Sequence, residues 1–181
     1  MKVRQLFVFL LIFATPFAFA AGNSSTLFQN INHRLGYMKD VALYKAQKHL
    51  QIEDTAREAV VIQKAQAQAK EIGLNPTSVK AFFVAQISAA KAIQYRYRAD
   101  WLTDPAALNA KPLNLKTQVR PALITLGDQI LSQIKAHLEQ SGPFKNNERE
   151  QFVNSITVKN LTEADKNNLY NGLMKVRLAS K

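Results

Sequence analysis

Apolar residues recur at intervals of three and four positions along nearly the whole chain, which is the spacing of one face of an α-helix. No stretch alternates apolar and polar residues convincingly, as a half-buried strand would. Glycine and proline are few, and they fall between the periodic stretches. The pattern therefore predicts an all-α protein of about six helices with no β-sheet.

Capping residues and chain breaks give the expected ends of these helices. Asp54 or Thr55 caps the second helix, and Thr55 with Glu58 has the spacing of a capping box. Pro121 is placed in the first turn of the fourth helix, or the helix proper starts at Pro121, and Thr162 caps the last helix. The predicted helices run from 24–26 to 48–51, from 54–55 to about 71, from 75 to about 101, from 115 to 140, from 147 to 155, and from 162 onward.

The first twenty residues have a different pattern. Lys2 and Arg4 precede an apolar run over residues 6–19, and Ala18-Phe19-Ala20 is a small-x-small cleavage site. These are the features of a secretory signal peptide, although an uncleaved N-terminal anchor has the same start. We expect cleavage after Ala20, which leaves residues 21–181 as one all-α domain in the periplasm or outside the cell.

Composition narrows the chemistry that this domain can perform. There is no cysteine, and the three histidines are scattered without metal-ligand spacing, so we predict no metal site. The chain has no glycine-rich phosphate loop and no nucleophile elbow, and no motif in it indicates a cofactor.

Loss of Lys2 and Arg4 with the signal lowers the formal net charge from +11 to +9. This excess suggests an anionic partner.

Two cations of the first helix lie on a stripe that is otherwise mostly apolar. Arg34 and Lys45 are eleven residues apart, so at 100° per residue they project within about 20° of each other. Cations on a core-facing stripe need an anion or water nearby. The alternative is that both long side chains reach past the helix margin into solvent.

The next two helices carry further polar candidates. Arg57 lies in a first helical turn, where the helix dipole disfavours a cation, and it is therefore a candidate ligand for an external anion. Gln86 and Gln94 flank Ala90 at spacings of four residues among apolar neighbours. A buried amide must find hydrogen-bond partners, either on another helix or in a polar cavity.

Residues 95–101 interleave aromatic and basic side chains. Such interleaving occurs in proteins that bind single-stranded nucleic acid. The simpler interpretation, which we favour, is a helix end with one apolar face and one solvated face.

The candidate residues together form a spacing pattern. Ten residues separate Arg34 from Lys45, eight separate Lys45 from Asp54, and Arg57-Glu58 precedes Gln94. This pattern resembles the active-site spacing of the helical, AroQ-type chorismate mutases. The exported, gamma subclass is similar also around residues 52–57, in Asp100-Trp101, and in Arg120 followed by residues 131–134.

The resemblance implies a reaction and a role for each residue. Chorismate would rearrange to prephenate through a chair-like pericyclic transition state that needs no nucleophile, metal or cofactor. By analogy, Lys45 and Gln94 contact the ether oxygen whose bond to carbon breaks, and Lys45 also contacts a carboxylate. The remaining residues would bind the substrate. Arg34 and Arg120 would each bind one of its two carboxylates, and Arg57 would complete the cationic wall around them. Glu58 and the backbone of Asp54 would bind the ring hydroxyl.

The resemblance also implies an assembly and shows one departure. Exported relatives usually pair into homodimers with the whole pocket inside one protomer, so we expect a homodimer. Its ligand would be the small-molecule substrate chorismate. We expect it to bind neither nucleic acid nor, after signal cleavage, a membrane. The family often has Ser or Thr where this chain has Ala90. A non-catalytic exported helical protein that binds an anionic ligand is the first alternative, and a basic nucleic-acid or membrane-surface binder is the second.

Overall fold

The chain is described by a computed structural model that covers residues 24–180; the predicted signal peptide lies outside the described residues. The described residues form α1 (Ser24–Gly36), α2 (Met38–Gln47), α3 (Thr55–Glu71), α4 (Pro76–Thr103), α5 (Arg120–Gln140), α6 (Arg149–Ser155) and α7 (Glu163–Leu173). Short 3₁₀ turns at Pro105–Asn109 and Asn146–Glu148 link some of them. Within residues 24–180 no strand forms, and one isolated bridge joins Leu74 to Leu178. The predicted all-α fold is confirmed.

The predicted first helix is divided in two at Tyr37, which raises the count from six helices to seven. Gly36 disfavours a helix interior, and the regular helix stops there. Tyr37 keeps right-handed helical angles, and its carbonyl accepts from the Val41 N–H at 3.1 Å. The apolar stripe therefore continues across the break, with these residues buried: Leu27, Ile31, Leu35, Met38 and Ala42.

Helix α3 begins at a cap that the sequence left open. The Asp54 carboxylate accepts from the Arg57 N–H at 3.0 Å, so Asp54 is the capping residue. The capping box predicted from Thr55 and Glu58 was wrong, because the Glu58 side chain turns to Lys91 on α4 instead. One consequence is that the Glu58 side chain, in the first turn of α3, is directed towards α4.

Helix α4 is the central element of the fold. Asn75 caps it, Pro76 occupies its first turn, and it packs against α2, α3 and α7. Its inward face contributes Phe82 and Ile93 to a core that also contains aromatic residues of α1, α6 and α7, namely Phe28, Phe152 and Tyr170. Gly172 of α7 allows the close approach, since a Cβ there would lie 3.3 Å from the Phe82 Cα.

Helix α5 is preceded by a wider π-helical turn over Leu115–Val119. Its Val119 N–H donates to the Asn114 carbonyl at 3.0 Å, a span of five residues. Pro121 has no N–H and its ring crowds the carbonyl four residues earlier, so a widened turn suits the residues just before it. The α-helix itself begins at Arg120, next to the alternative start predicted at Pro121, and the predicted residues 115–119 form the π-helical turn.

The C-terminal part covers the remaining side of the core. Thr162 caps α7 as predicted, and its side-chain oxygen accepts from the Asp165 N–H at 3.2 Å. Leu169, Leu173 and Val176 are buried, as the helical periodicity indicates. Among the described helices, none has the length and apolarity needed to cross a membrane.

Candidate active site

A cavity of about 400 Å³ lies among α1, α2, α3, α4 and α5. Apolar side chains such as Val41, Phe83 and Leu123 line it together with several charged ones. All seven predicted site residues line this one cavity: Arg34, Lys45, Asp54, Arg57, Glu58, Gln94 and Arg120. Side chains spread over 87 positions of sequence are thereby brought together by the packing of five helices.

Arg34 is a buried cation without a buried anion beside it. Only 6% of the residue is exposed, so it does not reach past the helix margin into solvent. One guanidinium nitrogen donates to the Gln86 side-chain oxygen at 3.2 Å, and the group lies 5.6 Å from the centre of the Phe83 ring. Its Nε has no hydrogen-bond partner, and no carboxylate of residues 24–180 pairs with it.

This burial changes the acid–base behaviour of Arg34. Removal from water disfavours the charged form and lowers the pKa of Arg34 from 12.5 to about 10. The guanidinium is still protonated at neutral pH. A buried, charged and partly unsatisfied guanidinium facing a cavity is suited to bind an anionic ligand.

Lys45 lies at the end of α2 with its ammonium in the same cavity. Its Nζ donates to the Ile52 carbonyl at 2.6 Å, which leaves two of its three donors for a ligand. Burial lowers the pKa of Lys45, and the nearby negative charge of Asp54 opposes that shift. The result is a cation at the end of α2 that is fixed by its hydrogen bond to the segment leading into α3.

Gln94 is buried on α4 and has spare hydrogen-bonding capacity. Its side-chain Nε2 donates to the Ala90 carbonyl at 3.1 Å and lies 3.8 Å from the Met38 sulfur. Its Oε1 is buried and has no hydrogen-bond partner. Since an amide has two N–H donors and a carbonyl, Gln94 can bind a polar atom placed in the cavity.

The remaining predicted residues lie at the rim of the cavity. Arg57 and Glu58 in the first turn of α3 are half-buried, while Arg120 at the start of α5 is exposed. Neither arginine is ion-paired with a carboxylate in the described part of the chain. The cavity thus combines one buried guanidinium, one fixed ammonium and two rim guanidinium groups.

Comparison with known proteins identifies the family. The family described as chorismate mutase type II matches residues 25–95. The secreted chorismate mutase of Yersinia pestis is 48% identical over 149 residues, which cover 82% of this chain and 78% of the relative. The chain belongs to the type II chorismate mutase family.

Two further comparisons agree with this assignment. A monofunctional chorismate mutase of Enterobacter agglomerans is 40% identical over 81% of this chain and 80% of its own length. The crystal structure of the Yersinia pestis secreted chorismate mutase superposes with a TM-score of 0.78 at 46% identity, covering 84% of this chain and 97% of that one. The predicted family, helical fold and isomerase activity of the chorismate mutase class are confirmed.

The sequence pattern missed several residues of the chorismate mutase cavity. On α3 these are Lys64 and Gln68, which follow Arg57 by seven and eleven residues and share its face. On α4 it is Lys91, whose Nζ lies 2.7 Å from Glu53 and 3.4 Å from Glu58. Helical periodicity from Arg57 could have found the α3 residues, but nothing local in sequence links Lys91 to Glu58, a partner 33 positions away.

Gln86 is the other buried amide that the sequence singled out, and it has a supporting position. It is fully buried on α4, and its side-chain oxygen accepts from Arg34. Of the two alternatives for a buried amide, a partner on another helix is therefore the one observed for Gln86. Gln86 does not line the cavity itself, and it orients the Arg34 guanidinium through this hydrogen bond.

The aromatic and basic segment at residues 95–101 is engaged in internal contacts. Arg96 pairs with Asp165 at 2.6 Å, Arg98 donates to the Leu50 carbonyl, and Trp101 is buried. These arginines hold helices and loops together, which weakens the argument for a nucleic-acid surface there. Within residues 24–180 no cluster of His, Cys, Asp and Glu side chains could hold a metal ion.

Proposed function

We propose that the chain is an exported chorismate mutase that rearranges chorismate to prephenate in the cavity described above. The observation that carries the proposal is the buried, unpaired Arg34 in one cavity with Lys45 and Gln94. The family assignment supplies the reaction, and these three side chains supply groups suited to it. Chorismate carries two carboxylates, and its rearrangement is intramolecular.

Binding of the two carboxylates falls to the arginines. A guanidinium grips a carboxylate with two parallel hydrogen bonds, which fixes orientation as well as position. Arg34 would bind one carboxylate in the dry interior, and Arg120 would bind the other from the rim. Arg57 adds positive charge between them. Holding the compact conformer in this way brings the bond-forming carbons together before the reaction starts.

Stabilisation of the transition state falls to Lys45 and Gln94. Negative charge develops on the ether oxygen as its bond to carbon breaks, and preorganised donors aimed at that atom lower the barrier. Lys45 has two free N–H donors. Gln94 would donate with the amide N–H that now faces the Met38 sulfur at 3.8 Å, because a thioether is a weak acceptor that a ligand oxygen can replace. One such donor is typically worth about 3 kcal/mol, or a hundredfold in rate.

The ring hydroxyl would bind where α3 begins. The Asp54 side chain satisfies only the Arg57 N–H, so other backbone groups of this first turn are available to a ligand. The Glu58 carboxylate can accept the hydroxyl proton in a hydrogen bond. Because Glu58 is half-buried, this contact would lie at the cavity edge.

Ala90 removes one contact that related enzymes often make with a carboxylate. Its side chain lines the cavity but offers no donor. We expect Ala90→Thr to lower KM for chorismate about threefold, with little change in kcat, because the new hydroxyl would contact a carboxylate in the ground state and in the transition state alike. Steady-state kinetics of both proteins measure this. An unchanged or raised KM in a folded variant would show that no carboxylate lies near this position.

Export and assembly form a further part of the proposal. The predicted signal peptide supports export, as does the similarity to the secreted chorismate mutase of Yersinia pestis. Fractionation of cells that express the full chain, with N-terminal sequencing of the product, tests cleavage after Ala20 and distinguishes periplasm from medium. Light scattering after size-exclusion chromatography tests the proposed homodimer.

The test of the activity is the loss of chorismate absorbance when the purified mature chain is added, with prephenate identified in the product. We expect rapid conversion at micromolar enzyme or below. A folded protein that leaves chorismate unchanged but is stabilised against heat by it would instead support the non-catalytic anion-binding protein. A folded protein that shows neither effect contradicts both.

Gln94 leads to a prediction about pH. A neutral amide donates at any pH, so the wild type should hold its kcat across neutral pH and lose it only on the alkaline side, when Lys45 loses its proton. Burial lowers the pKa of Lys45, so that loss should come below pH 10.5, its ordinary value. Gln94→Glu should be active mainly in acid, since a carboxyl donates only when protonated. We expect kcat of this variant to fall at least tenfold between pH 5 and pH 8.

A pH series of kcat for both proteins measures this difference. The wild type serves as the control, because any general effect of pH on folding or substrate alters both series. A sharp loss of wild-type activity above pH 6 would contradict the role given to the Gln94 amide.

A further inference from the structure

Lys91 stands apart from the other cations of the cavity. Six Lys and Arg side chains line it: Arg34, Lys45, Arg57, Lys64, Lys91 and Arg120. In the described part of the chain, Lys91 is the only one of these six that forms an ion pair. Its charge is therefore already matched by protein carboxylates, and it is a poor candidate for a direct ligand of a substrate carboxylate.

The partners of Lys91 form a chain of contacts across three segments. Its Nζ lies 2.7 Å from a Glu53 oxygen and 3.4 Å from Glu58. The Tyr95 hydroxyl, one turn further along α4, donates to the other Glu53 oxygen at 3.1 Å. The exposed Glu53 carboxylate thus binds the Lys91 ammonium, and this ammonium on α4 in turn binds the Glu58 carboxylate on α3.

We propose that Lys91 is a positioning residue that keeps the Glu58 carboxylate aimed at the substrate hydroxyl. This inference rests on the proposed function, because it assigns Glu58 to that hydroxyl. Lys91 itself contacts only protein groups. The sequence signal for it is weak, since its partners lie 38 and 33 positions away.

The surroundings of Glu58 explain why a fixed partner matters. Arg57 precedes it on the same helical turn, and Lys45 is close enough for the charges of Lys45 and Glu58 to interact. Without Lys91, the Glu58 carboxylate would be drawn towards these cations. A direct Glu58–Lys45 pair would turn the carboxylate away from the hydroxyl and occupy an ammonium needed at the ether oxygen.

The test is the kinetics of Lys91→Gln beside Lys91→Arg and the control Lys80→Gln. Lys80 is exposed on α4, about three turns earlier, and does not line the cavity. We expect Lys91→Gln to lower kcat/KM about tenfold, mostly through a raised KM. Lys91→Arg should restore at least half of the loss, and Lys80→Gln should leave the kinetics unchanged.

A second measurement separates positioning from a general structural role. If Lys91 acts through Glu58, then Lys91→Gln should change kcat/KM less than twofold in a Glu58→Gln background. A tenfold loss in that background, or an unchanged KM for Lys91→Gln, would overturn the inference. Should Lys91→Gln fail to fold, Glu53→Gln is the alternative variant, because it removes the carboxylate nearer to the Lys91 ammonium and the Glu53 side chain is exposed. It should raise KM in the same way, and an unchanged KM for Glu53→Gln overturns the inference equally.

These results remain distinct from the outcome for the proposed function. A folded wild type that leaves chorismate unchanged contradicts the proposed function itself. An active wild type with unaffected Lys91 and Glu53 variants contradicts only the positioning role of Lys91.

Discussion

Lys45→Met should reduce kcat for chorismate by about 100- to 1,000-fold while the protein stays folded. The substitution removes the ammonium that we place at the ether oxygen but keeps an unbranched side chain of similar length. Because the ammonium is half-buried and its pKa is lowered by burial, its loss should cost little stability. Steady-state kinetics and a melting curve measure the two effects separately.

Lys48→Met is the matched control for this experiment. Lys48 directly follows α2 and is exposed, so its substitution removes the same charge a short distance from the cavity. We expect its kcat to stay within twofold of the wild type. If Lys48→Met and Lys45→Met lost activity equally, the effect would come from the general charge of this region and not from a contact at the ether oxygen.

Arg34→Met should reduce kcat/KM by roughly a thousandfold, or about 4 kcal/mol, because it leaves a substrate carboxylate buried without its cation. The substitution should not lower the stability of the folded protein, although loss of a buried side chain usually does. Burial lowers the pKa of Arg34 to about 10, so the charged form is disfavoured in the folded protein. That destabilisation is fully present below about pH 10 and lessens only as the pH rises further.

The melting temperature of Arg34→Met at neutral pH should therefore be no lower than that of the wild type, despite the lost hydrogen bond to Gln86. Arg34→Lys is the matched variant, since it keeps the charge but not the two-pronged grip, and we expect an intermediate loss of kcat/KM. A large drop in melting temperature with little loss of activity would mean that Arg34 is a structural residue.

These two predictions reflect how the cavity is built. The described residues place a cation in the interior, give it an amide and an aromatic ring as neighbours, and provide no carboxylate. Such an arrangement is unfavourable in the empty protein and becomes favourable when an anion enters. The buried guanidinium of Arg34 thus lowers the stability of the empty protein and raises its affinity for a carboxylate.

Local signals in the sequence were enough to predict the helices and several of their ends. Helical periodicity and the residues Asn75, Pro76 and Thr162 correctly indicated α4 and α7. The break at Tyr37 and the π-helical turn before Pro121 depend on small differences in backbone hydrogen bonding, which periodicity does not register. The cap of α3 remained ambiguous because Asp54 and Thr55 are both good capping residues.

The cavity was predictable where its residues follow a fixed spacing within one helix or match the family pattern. The spacing of Arg34 and Lys45 predicted a shared face, but their burial and the direction of Gln86 depend on packing against α4. Lys91 was not predicted, because its role depends on side chains brought next to it only by the packing of α3 against α4.

The most direct test of the central claim is a crystal structure of the chain with a bicyclic ether dicarboxylate that mimics the transition state. The account predicts one carboxylate on Arg34 and the ether oxygen within hydrogen-bond distance of both the Lys45 Nζ and the Gln94 side-chain amide. An analogue bound elsewhere, or bound here with its ether oxygen away from both groups, would contradict the account.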